Sequence, residues 1–382
     1  MRLSIIAAVL PLAIAGPVVD PAPLIQARGS QGVDGKYIVK FKDSAAVSIQ
    51  DVQSKVAKTD HVYENVIKGF SASLTQDQVE SLRRDPDVEY IEQDAIVSIN
   101  TMIEQRDAPW GLARISHRQR GNTSYIYHRS AGRGVCAYVI DTGIFDKHPD
   151  FGQRAQQIKT FAGDETQDGN GHGTHCAGII GSSTYGVAKK VSIFGVKVLS
   201  DDGTGLISTV IAGIEFVASD RHWRDCPSGV VVNMSFGSGY SATLNEAATR
   251  LQSSGCFVAA AAGNSNADAN TFSPASAPSI CAVGATDSED RRSPFSNFGS
   301  VVGIFAPGSD ILSTWNDGQA KLLSGTSAAT PHIAGLGAYL LSLHHVKAGE
   351  VCSRIQTLST KKVLSDVPEG TQNYLAFNGA TD

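Results

Sequence analysis

The sequence predicts an α/β protein: a doubly wound, mostly parallel sheet with helices on both faces, preceded by a small α+β unit. Beyond about residue 111, apolar runs of strand length alternate with segments of helical periodicity. Those strand runs are apolar almost throughout, the pattern of strands covered on both faces of a parallel sheet. Before residue 100, shorter runs follow the order βαββαβ, a ferredoxin-like arrangement.

Taken in order, "MRLSIIAAVLPLAIAG" opens with Arg2, continues apolar from Leu3 to Leu12, and offers Ala13-Ile14-Ala15 as a small-x-small site. This predicts a secretory signal over 1–15. The run is too short to span a bilayer, so no membrane anchor is expected. A propeptide is expected over 16–102, with its folded part at 36–98. There "KYIVKFK" alternates as a strand, "SAAVSIQDVQSKVAK" has helical spacing, and "VYENVIKGFSASL" suggests two short strands. "TQDQVESLRRD" begins a helix with Thr75 and Gln78 in capping-box spacing, and "VEYIEQDAIVSI" closes the unit. "NTMIEQRDAPWG", residues 100–111, breaks the pattern and marks the boundary to a second domain over 103–382.

In that domain the strands are "VCAYVID", "VSIFGVKVL", "GVVVNMSFG", "CFVAAAAGN" and "SICAVGA". The helices between them are "HGTHCAGIIG", "ISTVIAGIEFVAS" and "TLNEAATRLQSS". Near the end, "SGTSAATPHIAGLGAYLLSL" sets Thr326 and Ser327 at the mouth of a further helix, with Pro331 close behind. Ser and Thr cap helices well, and Pro is tolerated near a first turn. A serine there also sits among unpaired N–H groups at the positive end of the macrodipole, where a developing oxyanion is stabilised.

The 382 residues are 42% hydrophobic and 18% charged, with formal net charge −5 and no Lys/Arg block. That balance argues against nucleic acid as a partner. An oxidising destination makes the six cysteines candidates for disulfides, whose pairing the residues alone leave open. Cys176 and Cys256 lie in apolar or Gly-rich settings that suit buried thiols.

Asp141 ends an apolar strand at a Gly turn and so points an anion toward the crevice beyond the carboxyl ends of the sheet. "DTG" is also an aspartic-protease signature, which needs two carboxylates; the chain has one DTG and no DSG. His172 stands between glycines at a helix start. Pairing it with His175 for zinc lacks the H-E-x-x-H spacing and its glutamate. Asp, His and Ser together form an orienter, a base and a nucleophile. The G-x-S-x-G elbow does not fit, because Ala329 stands where the second glycine belongs.

"VIDTG", "GHGTHCAG" and "GTSAATPH", in that order, resemble the three signatures of subtilisin-like serine proteases. "PWGLARIS", "YGVAKK", "FGVKVL", "RLQSSG", "AAGNSNADA", "SPASAPS" and "ILSTW" extend the resemblance to the proteinase K group of secreted fungal enzymes, from about residue 109 onward. Residues 36–98 resemble the inhibitory prodomain of that family. The resemblance implies a subtilisin-like fold, Asp141, His172 and Ser327 as catalytic triad, and Asn264 with the Ser327 N–H as oxyanion hole. It implies that Gly205 and Leu206 in "DDGTGLIS", and Ser235, Phe236 and Gly237 in "MSFGSG", belong to two strands receiving substrate backbone. Gly237, Ala261 and Gly263 would line a primary pocket for a large apolar or aromatic side chain. Cys136–Cys226 and Cys281–Cys352 are the implied disulfides; Cys176 matches a buried free thiol, and Cys256 has no counterpart.

The chain departs from the family at Gly303, where relatives place a calcium-binding carboxylate, and at Val363, where a weaker site uses Asp. Hard cations need oxygen ligands, so both familiar calcium sites are expected to be weakened or absent and no metal ligands are assigned. Ala328 follows the nucleophile where the family often has Met. No cofactor is expected for the chemistry. Asn122-Thr-Ser is an expected glycosylation sequon; Asn233-Met-Ser is a poorer one because it lies on an apolar strand. The expectation is a secreted, monomeric endopeptidase, made as a zymogen. Its partners would be protein and peptide substrates and its own prodomain as intramolecular inhibitor.

Overall fold

The computed structural model describes residues 20–26, 32–45, 56, 58–97, 102–163, 166–343 and 346–380. The chain divides into two compact units, Met1–Ile99 and Asn100–Asp382.

The first unit contains β1 (Leu24–Ile25), β2 (Gly32–Phe41), β3 (Thr59–Tyr63), β4 (Gly69–Ser73), α1 (Gln76–Arg83) and β5 (Val88–Ala95). Its sheet has the order β1-β5-β2-β4-β3. The pairs β5–β2, β2–β4 and β4–β3 are antiparallel, which reproduces the ferredoxin-like order. Strand β1 adds itself in parallel to β5, an edge the sequence did not suggest. Val39, Phe41, Phe70, Val79, Leu82 and Ile91 form the core. Helix α1 starts as its spacing predicts: Thr75 Oγ1 accepts from Gln78 N, and Thr75 N donates to Gln78 Oε1. Most of the segment expected as a first helix, "SAAVSIQDVQSKVAK", and the expected signal at 1–15 lie outside the described residues.

The second unit begins with β6 (Met102–Gln105), α2 (Trp110–Ile115), β7 (Tyr125–His128), β8 (Val135–Asp141), β9 (Ala155–Thr160) and α3 (His172–Gly181). There follow β10 (Ser192–Lys197), α4 (Ile207–Asp220), β11 (Gly229–Met234), β12 (Ser238–Gly239), α5 (Ala242–Ser253) and β13 (Cys256–Ala261). Next come β14 (Phe272–Ser273), β15 (Cys281–Thr286), β16 (Val302–Pro307), β17 (Ile311–Thr314) and β18 (Ala320–Leu323). The chain closes with α6 (Thr326–Leu343), α7 (Val351–Leu358), β19 (Thr360–Lys361) and β20 (Tyr374–Leu375).

The main sheet runs β19-β20-β16-β15-β13-β11-β8-β10-β9, parallel except between β19 and β20. After β8 the chain adds β9 and β10 on one side, then crosses to build β11, β13, β15 and β16 on the other. This reversal beside β8 opens a crevice at the carboxyl edge, the usual ligand site of such sheets.

Strand parity assigns each side chain to a face. Val135, Ala137 and Val139 pack into one core with residues of α3 and α6, including Ala177, Ile180, Ile333 and Leu336. Cys136, Tyr138 and Ile140 pack into the other, with Ile214 and Val217 of α4 and Leu244 and Ala248 of α5. Strand β8 is therefore buried at every position, and each face is closed by a helix pair.

Three departures from the sequence reading have local reasons. Residues 102–105, expected only as a break, form β6, paired antiparallel with β7; an alternation of four residues is too short to read. "AQQIKT" (β9) is an edge strand with exposed polar positions, and β16 carries Gly303 and ends in Pro307. β9 thus lacks the continuous apolar signature of the central strands, whereas β16 has it and is masked only by its glycine and terminal proline.

Disulfides join Cys136 to Cys226 and Cys281 to Cys352, closing sequence separations of 90 and 71. On the loop-entropy account each stabilises the fold by about 4–5 kcal/mol. Cys176 and Cys256 are free and buried. A thiol reagent is expected to find no reactive cysteine in the native protein and two after denaturation without reductant; a thiol that reacts in the folded state contradicts this packing.

Candidate active site

Asp141 is the last residue of β8 and shares the parity of Val139, so its side chain lies on the face covered by α3 and α6. It is fully buried. Its Oδ1 accepts from Thr142 N at 2.7 Å and from His172 Nδ1 at 2.7 Å. A buried carboxylate is costly without such donors. His172 is the first residue of α3, and its imidazole is one quarter exposed. Gly173 has no room for a side chain: a Cβ there would collide with the Gly143 carbonyl and lie 3.1 Å from the Asp141 Cβ. Burial opposes protonation of His172, but the Asp141 charge and hydrogen bond, with a further contribution from Asp168, outweigh it and raise its pKa.

Ser327 is the second residue of α6, and Pro331 lies inside this helix. That places Pro331 deeper than the first turn suggested by the sequence reading. Proline has no N–H, so the carbonyl four residues earlier loses its helical partner. That carbonyl belongs to Ser327. It accepts instead from Ser235 Oγ at 2.9 Å and from Cys176 Sγ at 3.5 Å. Ser235 follows β11, and Cys176 lies one turn into α3, its sulfur within 4.8 Å of a carboxylate oxygen of Asp141 and a ring nitrogen of His172. Burial raises the Cys176 pKa, which keeps the thiol protonated as a donor. The freed carbonyl thus ties the start of α6 to both the central sheet and the His172 helix.

Asn264 is exposed, three residues beyond β13. Its Oδ1 accepts from Thr326 N at 2.8 Å and Thr326 Oγ1 at 2.9 Å, which leaves Nδ2 free of that contact. A Cβ on Gly325 would stand 2.8 Å from Ser327 Oγ and 3.4 Å from Asn264 Nδ2. Both groups therefore border one space, which glycine keeps clear. The loop carrying Asn264 is held by buried Asn297, whose Oδ1 accepts from Ser265 N and Ala267 N and whose Nδ2 donates to the Ala262 carbonyl. Gly263, at φ +104°, cannot take a Cβ without striking the Asn297 amide.

Gly205 and Leu206 are exposed ahead of α4, with Leu206 extended at φ −80° and ψ 145°. A turn closed by Ser200 N and the Thr204 carbonyl precedes them. Phe236 is half-buried and Gly237 exposed, between β11 and β12. Neither 201–206 nor 235–237 belongs to a strand, in contrast to the expected pair; a strand needs a ladder partner. Ala261, 5% exposed, ends β13.

Other expected residues fall elsewhere. His175 Nε2 faces the carbonyls of Ile311 and Lys321 at 2.9 and 3.0 Å, and burial pushes its pKa down to about 4. Its committed ring leaves no zinc pair with His172. Asn122 is exposed in a loop, while Asn233 is wholly buried. Gly303 presents its carbonyl to Gln356 Nε2 at 3.0 Å, and Val363 is 38% exposed.

The sequence reading missed Thr142, Asp168, Lys197 and Asn297. Lys197 is buried; its Nζ donates to the Thr142 carbonyl at 2.8 Å and Asp201 Oδ1 at 2.6 Å, tying the 200–204 turn to the end of β8. A lysine at the end of an apolar strand run is the signal that could have flagged Lys197; Thr142, Asp168 and Asn297 lie in loops and carry no such signal.

A parallel sheet with an Asp–His pair at its carboxyl edge, beside a helix whose second residue is serine, is the arrangement of a serine peptidase of the α/β type. The chain belongs to the subtilase family, whose profile matches residues 132–366; a peptidase inhibitor I9 domain matches residues 36–100. It is 64% identical to the alkaline serine protease ver112 of Corniculantispora psalliotae over 100% of both chains. It is 57% identical to proteinase R of Parengyodontium album over 99% of both. A cuticle-degrading protease of Metarhizium anisopliae is 51% identical over 100% of both. The crystal structure of a cold adapted subtilisin-like serine proteinase superposes with a TM-score of 0.66 at 44% identity, covering 71% of this chain and 98% of that one. The protein is accordingly a proteinase K-type serine protease with an inhibitor prodomain, and the family's catalysis needs no cofactor. Among the described residues no helix is long and apolar enough to cross a membrane.

Only neutral imidazole can accept a proton, so a raised His172 pKa means activity is lost as pH falls through that value. The acid limb of kcat/KM is expected above the ordinary imidazole value of about 6.5; a limb at or below it contradicts the Asp141–His172 electrostatics.

Proposed function

We propose that the chain is a secreted zymogen whose second unit cleaves peptide bonds with Ser327 as nucleophile, His172 as general base and Asp141 as orienter. The carrying observation is the 2.7 Å Asp141–His172 hydrogen bond beside the α6 N-terminus. Ser327 Oγ attacks the scissile carbonyl carbon while its proton passes to His172 Nε2. The Ser327 N–H and Asn264 Nδ2 donate to the resulting oxyanion, in the space that Gly325 leaves open. Collapse breaks the C–N bond as His172 returns the proton to the leaving amine. Water, deprotonated by His172, then hydrolyses the acyl-enzyme.

Substrate backbone is taken up between Gly205–Leu206 and Ser235–Gly237, completing a ladder that neither stretch has alone. Small residues at Gly237, Ala261 and Gly263 favour a large apolar or aromatic P1 side chain. The prodomain within 16–102 inhibits the enzyme until self-cleavage near Asn100–Ile103 releases residues 103–382. The I9 match over 36–100 supports this division. A signal at 1–15 with glycosylation at Asn122 fits the two disulfides, which persist in oxidising compartments. The site draws on one chain, consistent with a monomer.

A fluorophosphonate probe is expected to label the mature protein at Ser327. Ser327→Ala should abolish labelling and lower kcat by about 10⁶, the magnitude known for subtilisin, a member of the same family. Labelling that survives the substitution, or cleavage of esters but not of denatured protein, overturns the reading.

The positions where relatives bind calcium do not fit the ion. Gly303 offers no carboxylate and its carbonyl is engaged by Gln356, and Val363 has no side-chain oxygen. Chelator is expected to shift Tm by less than about 3 °C, equivalent to roughly 1 kcal/mol for a unit of this size. A larger loss, restored by calcium, refutes this.

A further inference from the structure

We propose that Asp168 is a positioning residue of this peptidase: its buried carboxylate locks the strand end bearing Asp141 to the helix start bearing His172. The inference rests on the triad reading above and extends it.

Asp168 lies in the loop before α3 and is 4% exposed. Its Oδ1 accepts from Thr142 Oγ1 at 2.8 Å, Gly171 N at 2.8 Å and Asn170 N at 3.1 Å. Its Oδ2 accepts from Thr174 Oγ1 at 2.6 Å and Thr174 N at 2.9 Å. All five donors are neutral hydroxyl or backbone N–H groups, so the carboxylate is held by hydrogen bonds and not by an ion pair. They come from two segments, Thr142 beyond β8 and residues 170–174 around the start of α3.

The geometry brackets the imidazole. Gly171 caps α3 at φ +103° with no side chain to satisfy the first-turn N–H groups. Asp168 supplies that function from three residues upstream. Thr142 Oγ1, while donating to Asp168, accepts from Gly173 N at 3.0 Å. The N–H groups on either side of His172, those of Gly171 and Gly173, are therefore pinned to one network. The same Thr142 donates its own N–H to the Asp141 oxygen that receives His172. The Asp168 carbonyl accepts from Asn316 Nδ2 at 2.9 Å, which anchors the loop from outside. The array fixes the backbone on both sides of His172, and with it the point from which the imidazole reaches Asp141.

The Asp168 carboxylate also acts on the imidazole through its charge. Asp141 and Asp168 both raise the His172 pKa. The other titratable groups around the ring contribute little charge. His175, on the same helix, is held neutral by burial, and Cys176 remains a thiol. Asp201, whose carbonyl accepts from Asn170 Nδ2, is paired with Lys197.

The test is Asp168→Asn, which keeps the side chain's size, removes the charge and turns one acceptor oxygen into a donor, read on a peptide anilide across pH with active-site titration. A fall of about 10- to 100-fold in kcat/KM, carried mostly by kcat, is expected from a misaligned imidazole. The acid limb should move to lower pH by about half a unit or more. Thr142→Val, which removes the bridge but keeps the charge, should lower kcat without moving the limb. The double variant should fall little below the worse single one, since both act through one network. Wild-type kcat with a wild-type limb overturns the proposal. So does an activity loss that tracks the folded fraction with the limb unmoved, which marks a purely structural cap. Asp141→Asn serves as control: if it retains wild-type activity, the triad reading itself fails. Should Asp168→Asn not self-process, the comparison passes to Ser327→Ala zymogens with and without it, cut in trans by wild-type enzyme. The His172 Nδ1 proton resonance is then titrated, and an unchanged titration overturns the proposal.

Discussion

A carboxylate with no exposed surface meets an imidazole across 2.7 Å, and the rest of the carboxyl edge is arranged to keep them there. An isolated buried carboxylate is several kcal/mol out of favour. Asp141 is tolerable because Thr142 N and His172 Nδ1 converge on one of its oxygens. Those donors can converge only if β8 presents residue 141 to the α3/α6 face and α3 begins at residue 172. Gly143 and Gly173 must also let the two backbones touch. Parity, helix start and close approach are therefore conditions of one hydrogen bond.

Ser327 is held by a deletion rather than an addition. Pro331 removes one N–H from α6, and the orphaned Ser327 carbonyl recruits Ser235 and Cys176. A standard helix would have kept that carbonyl for itself and left Thr326, bonded to the Asn264 loop, as the polar tie of its first turn. Proline inside a helix interior costs about 3 kcal/mol or more in an exposed setting. Here two side-chain donors offset part of that cost, and they come from the strand and the helix whose registry with Ser327 matters. The buried free thiol, chemically inert at its raised pKa, serves as a hydrogen-bond donor.

Much of the design was legible along the chain. Apolar strands alternating with helical patterns announced a parallel sheet with two covered faces, and Asp141, His172 and Ser327 each sat at a recognisable strand end or helix start. The capping box at Thr75 and Gln78 formed as spaced. Less legible were elements whose signal is cooperative. Edge strand β9 is polar, β6 is short, and residues 201–206 and 235–237 offer no ladder within the chain. Asp168 and Asn297 read as ordinary loop residues until five and three hydrogen bonds, respectively, were seen to end on them.

The sequence by itself determined which residue types stand at which element ends, because periodicity and capping are local and act over a few residues. It also supplied Pro331, though only the helix start seen in the structure sets that proline deep enough to orphan a carbonyl. Only the tertiary structure decided who answers that carbonyl, which face Asp141 joins, and which loop carboxylate fastens strand to helix. Those outcomes depend on contacts between segments dozens to hundreds of residues apart, and a chain read in one dimension carries no distance between them.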